Sequence, residues 1–108
     1  MPTIKRLTQW RPRPGLGRDE ALRYWREEHA RLVENVPGVE RYVQNHFLVG
    51  PDGAEPSYAG LGELWFADLA AAEAALATPE WKAVIDDAST FMDLDRVSAA
   101  WAEEHEPF

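Results

Sequence analysis

Cysteine is absent from the sequence, and with it go disulfides, thiolate nucleophiles and sulfur-ligated metals. Long hydrophobic runs are missing as well: nothing approaches the ~20 apolar residues of a membrane span. The opening MPTIKRLTQW lacks the apolar stretch of roughly 7–15 residues that marks a secretory leader. There is no cationic stripe. Eleven Lys and Arg stand against nineteen Asp and Glu, for a net charge of −8, and the cations are interleaved with acids, so nucleic acid is not an expected partner. Metal and phosphate motifs are lacking too, with no HExxH, no two-histidine-one-carboxylate spacing and no aspartate-rich calcium loop. GLG and GPDG are turns rather than GxGxxG. The expectation is a soluble cytoplasmic protein that works without metal or cofactor and without a membrane or nucleic-acid partner.

What the chain does have is aromatic surface to hide. Five tryptophans in 108 residues must be covered by core, pocket or partner, because large flat side chains are costly to leave in water. The length suits one domain, 1–108, that removes roughly two-thirds of its unfolded surface from solvent. Thr3 to Trp10 reads as a strand ended by RPRPGLG. A helix follows, with Gly17 as N-cap, Asp19 and Glu20 in its first turn, and Leu22, Trp25, His29, Leu32, Val33 and Val36 as its apolar stripe up to Pro37-Gly38. VERYVQNHFLV reads as a strand of about ten residues ending at GPDG, and YAGLGELWF as another. Asp68 caps a helix to about Ala77; Thr78 with Pro79 opens a second to about Phe91. A last strand covers Arg96 to Ala102, before the acidic tail.

The order βαββαβ is the ferredoxin-like α+β arrangement, an antiparallel four-stranded sheet with helices on one face. Helices on one side leave half the sheet to be hidden. Alternation puts Tyr42, Gln44, His46 and Leu48 opposite Val43, Phe47 and Val49, and Leu61, Glu63 and Trp65 opposite Leu64 and Phe66. Both faces then carry large apolar groups, which predicts a two-fold dimer with sheets packed face to face around an enclosed space. The Tyr42, Gln44 and His46 face has the mixed character of a ligand pocket, and is expected to line that space.

The segments PGLGRDEALRYWREEHARLV, PGVERYVQNHF, GELWF and STFMD resemble the EthD family of dimeric α/β-barrel proteins over roughly Trp10 to Asp93. Tyr-Trp-Arg-x-x-His, Pro-Gly followed by Arg-Tyr-x-Gln-Asn-His, and Glu-Leu-Trp-Phe occur in the family's order and spacing. The resemblance implies a ferredoxin-like protomer, a homodimer and a small-molecule pocket between sheet and helices. It implies less about reaction, since the superfamily spans cofactor-free polyketide cyclases, decarboxylases and dehydratases, lactone isomerases, quinone-forming monooxygenases, and proteins of unknown role encoded beside ether-degrading oxidation systems. Gly17 departs from the family, which more often has Ser or Thr there.

His29 lies within the helical stripe. It is either a buried neutral histidine satisfied by a carbonyl, or a base whose pKa burial lowers. Tyr42, Gln44 and His46 form a row on one strand face, about 7 Å per step; Gln44 would donate to a substrate carbonyl or enolate oxygen, and His46 is a second candidate base or a half-solvated strand end. Tyr24, at the margin of the stripe, is a further candidate. Trp25 is expected to be both wall and core. Glu63 and Trp65 share a face, with Glu63 as a possible acid or a rim ion pair. The third histidine, His105, is expected in solvent. On simple alternation the sheet separates His29 from His46, unless His29 reaches around an open end of the barrel to share one pocket with it; His29 would be the packing residue if only one is catalytic. The expected function is cofactor-independent acid/base chemistry of lyase, cyclase or isomerase type on an aromatic or polyketide-like substrate. The alternatives are cofactor-free monooxygenation of a phenol and non-catalytic binding of a hydrophobic metabolite.

Overall fold

The computed structural model describes residues 3–108. Strand β1 (Ile4–Trp10) leads through the proline-rich turn to a first helix made of α1 (Arg18–Tyr24), a π turn (Trp25–His29) and α2 (Ala30–Glu34). Strands β2 (Arg41–His46) and β3 (Gly60–Phe66), helices α3 (Leu69–Leu76) and α4 (Pro79–Ala88), a short 3₁₀ turn and β4 (Ser98–Glu103) follow. The strands form one antiparallel sheet in the order β2-β3-β1-β4, the ferredoxin-like α+β topology.

Local chemistry accounts for most boundaries. The Asp68 carboxylate accepts from Ala71 N–H at 2.7 Å, and Thr78 Oγ1 accepts from Trp81 N–H at 3.2 Å with Pro79 in the first turn, each satisfying an orphan donor at a helix start. Gly17 sits at the N-cap without a side-chain bond. β2 and α4 stop well short of their patterns. β2 has six residues rather than about ten, because the chain turns away toward the loop closed by Gly50 N–H on Ala54 O at 2.7 Å, leaving Leu48 and Val49 exposed. α4 stops at Ala88 rather than near Phe91, since Phe91 O accepts from Arg13 N–H at 2.9 Å and Met92 bridges to Pro12.

The face assignment of β2 needs correction. Tyr42, Gln44 and His46 point toward the helices, not toward the uncovered side. Register pairs Tyr42 with Leu64, Gln44 with Gly62 and His46 with Gly60, and Gln44 Nε2 donates to the Trp25 carbonyl at 3.0 Å. The glycines explain why a helix can cover so polar a row. A Cβ at Gly60 would lie 2.6 Å from Trp25 Cζ3, and one at Gly62 3.3 Å from Trp25 Cζ2, so the missing side chains leave a trough in which the indole lies. Two buried clusters follow, one around Trp10, Trp25 and Phe91 and one around Val33, Leu64, Phe66 and Val84. The uncovered face carries Leu7, Val43, Leu61, Glu63 and Trp65, the last buried beneath Lys5 and Arg41 at 5.0 and 4.5 Å from its ring centroid.

Candidate active site

A cavity of about 150 Å³ lies between the sheet and the helices. Arg6 and Thr8 of β1, Tyr42 of β2, and Gly62 and Leu64 of β3 form its floor. Trp25, His29 and Val33 of the first helix and Trp81, Val84 and Ala88 of α4 form its walls. It opens past Ile85 and Leu94, which line it and are exposed.

His29 is 3% exposed. Its Nδ1 lies 2.8 Å from Asp87 Oδ2, while the other oxygen of that carboxylate, Oδ1, accepts from the Tyr24 hydroxyl at 2.7 Å. Phe91 stands edge-on to the imidazole at 4.9 Å. Burial lowers the His29 pKa, against the opposing pull of the Asp87 hydrogen bond and charge. The neutral tautomer that suits this geometry carries its proton on Nδ1 and leaves Nε2 as a lone pair. The π turn contributes to the placement: Ala30 N–H reaches back five residues to the Trp25 carbonyl, and this wider turn holds both Trp25 and His29 inward. Such turns recur at functional sites.

Beside it, Tyr42 is buried, and burial pushes its hydroxyl up to about 12, with Gln44's hydrogen bond acting the other way. Gln44 Nε2 donates to Tyr42 Oη at 2.7 Å, and Gln44 Oε1 lies 2.9 Å from His46 Nε2. His46 in turn stacks on Trp25, 5.0 Å between centroids at 29°. Burial, and then the charge of Arg26, lowers its pKa.

The structure therefore sorts the residues singled out from sequence. Trp25, His29 and Tyr42 line the cavity. Gln44 and His46 stand behind that wall, and Tyr24 reaches His29 through Asp87. The sheet does not separate His29 from His46; both are on the helix side, and Trp25, which stacks on His46, lies one turn before His29. Glu63 and Trp65 are on the opposite face. Burial would raise the Glu63 carboxyl, but hydrogen bonds from Lys5 at 2.8 Å and Asn45 at 2.9 Å hold it below the usual range. It is a charged ion-pair member there, remote from the cavity. Two residues escaped the sequence reading. Asp87 sits three positions after buried Val84 on α4, and Arg6 alternates with Thr8 and buried Trp10 on β1; both spacings were legible as inward-facing. Among the described residues no group of three or more His, Asp or Glu is placed to hold a metal ion.

Residues 13–95 match the EthD domain. The chain belongs to the EthD family. Among solved structures, this EthD chain is similar to an EthD family protein from Bacillus halodurans, at 20% identity and a TM-score of 0.82, over 95% of this chain and 99% of that one. It is also similar to a DABB family protein with a ferredoxin-like fold from Mesorhizobium loti, at 13% identity and a TM-score of 0.75, over 98% and 100%. SnoaB, a cofactor-independent oxygenase from Streptomyces nogalater, shares the fold at 12% identity and a TM-score of 0.67, over 98% and 96%. No curated protein matches the sequence.

Proposed function

We propose that this EthD protein is a cofactor-independent enzyme that takes a proton from an aromatic or polyketide-like substrate, with His29 as general base, in a lyase, cyclase or isomerase reaction. What supports this is the pairing of His29 Nδ1 with Asp87 at 2.8 Å in a ring that lines the cavity. A carboxylate on Nδ1 fixes the tautomer that offers Nε2 to a substrate, and steadies the imidazolium once the proton has moved. Tyr42 supplies the donor to the oxyanion that proton removal creates: its raised pKa keeps the hydroxyl protonated, and Gln44 holds it in place. In this reading His46 is a positioning residue acting through Gln44.

The same base would ionise a phenol for direct reaction with O₂, and the shared fold of SnoaB, an oxygenase without cofactor, favours keeping that second reading. Oxygen dependence of turnover separates the two.

A probe that needs no knowledge of the substrate is 5-nitrobenzisoxazole. A base removes its ring C–H proton, the N–O bond breaks, and a coloured cyanophenolate forms. The protein is expected to accelerate this reaction over buffer, and His29→Gln to lower the rate by ~10²-fold. Asp87→Asn should cost about tenfold or more and His46→Gln no more than a few-fold. A full rate in His29→Gln removes His29 as the base; a probe that binds without acceleration leaves a carrier rather than an enzyme.

A further inference from the structure

Arg6 sits on β1, between β3 and β4, and its pairing with Leu64 and Trp101 turns it to the helix side. It lines the cavity, yet its Nε is buried with no hydrogen-bond partner, and among the described residues it forms no ion pair. Trp81 and Trp101 flank it, 5.5 and 5.9 Å from Cζ to the ring centroids. Aromatic faces attract the charge but offer no lone pair to the buried Nε–H. Trp10 also lines the cavity, and its indole Nε1 is likewise buried without a partner. A buried donor left unmet is costly.

The neighbouring residue on β1 meets its counter-charge within the chain. Lys5, on the opposite face, meets Glu63 at 2.8 Å and Glu104 at 3.2 Å. A chain with nineteen acids and a net charge of −8 places none of them on Arg6. Arg6 lines the cavity, whose volume of about 150 Å³ is that of a space known to hold one benzene-sized ring.

We infer that Arg6 is the subsite for the anionic end of the substrate, a ring-sized organic monoanion whose planar carboxylate or enolate oxygens take the guanidinium fork while the remainder of the ring lies toward His29. This rests on the reading of His29 as the base for where the proton leaves, but not for where the anion binds. Arginine suits two coplanar oxygens in a way a lysine does not.

Benzoate and benzamide, equal in shape and different in charge, test it by calorimetry at pH 8, where His29 is neutral. The intact protein should bind benzoate at least ~10-fold more tightly than benzamide, as a charge-assisted pair demands. Arg6→Met should erase that preference while binding benzamide as before, which also shows that the cavity and fold persist. Arg6→Lys should retain only part of the preference, and it decides the matter if the Met variant does not fold. His29→Gln should leave the preference intact, so loss of the base and loss of the anion subsite are read separately. Equal affinity for the two probes in the unaltered protein, a preference that survives in Arg6→Met or is undiminished in Arg6→Lys, or no binding of either probe at millimolar concentration would each overturn the assignment.

Discussion

The Trp25 indole lies over Gly60 so closely that a methyl group there would sit 2.6 Å from Cζ3. This contact joins the first helix to β3, and the same indole forms a wall of the cavity and supports His46.

Gly60→Ala is therefore expected to destabilise the fold by ~1–3 kcal/mol, as overpacking does, and Trp25→Ala by ~3–5 kcal/mol. The double variant should lose less than the sum, because removing the indole removes its share of the clash; the Asn45 carbonyl, 2.7 Å from the same Cβ position, keeps the rest. Urea unfolding of the four proteins gives the cycle. Strict additivity would mean that the indole does not occupy the glycine trough.

Acid should weaken the protein through its histidines. Burial lowers the His29 pKa in the folded state, so as pH falls the unfolded chain binds the proton first. The His29 contribution is complete above about pH 6.5 and declines from there down to the folded value, with a slope of up to ~1.4 kcal/mol per pH unit for one proton. Burial shifts His46 in the same direction, adding to the slope. Unfolding free energies at pH 7.5, 6.5 and 5.5 should fall less steeply in His29→Gln than in the unaltered protein. Parallel pH profiles would show that His29 titrates alike in both states.

The uncovered sheet face predicts a dimer. Leu7, Val43 and Leu61 lie on it around the Lys5–Glu63 pair, and sheet against sheet is the arrangement that removes them from water. Sedimentation equilibrium at micromolar concentration should give twice the chain mass of 12.2 kDa, and Leu61→Arg should return the monomer by placing a charge in the contact. A monomeric unaltered protein would exclude the face-to-face pair.

How much of this was legible beforehand depended on the interaction involved. Element order follows from local rules, so the caps at Asp68 and Thr78 and the stripe through Trp25, His29 and Val33 could be read directly. The facing of β2 could not be read from β2 alone, since both alternations carry apolar groups. What decides it is cross-strand register, Gln44 on Gly62 and His46 on Gly60, together with a tryptophan 35 positions before Gly60 that needs the space. Gly60 and Gly62, alternating on one strand face, mark a close approach that the strand pattern of β3 did not single out. Asp87 was missed because a carboxylate on a helix is ordinarily solvated; its partner is 58 residues away, beyond any local pattern. The widened turn at Trp25–His29 is invisible to a 3.6-residue period.

That turn separates what the scaffold needs from what the cavity needs. A π turn is an α-helix holding one surplus residue, and here the surplus falls within Arg26, Glu27 and Glu28, all exposed. Shortening this segment by one residue would let Ala30 N–H bond the Trp25 carbonyl across four residues rather than five, leaving α1 and α2 seated on the sheet. The change would fall on the stretch between them, where Trp25 and His29 face the cavity. A chain one residue shorter should thus fold as before, and on the reading of His29 as the base it should be a worse one, which would make length itself, at this one place in the helix, a carrier of that function.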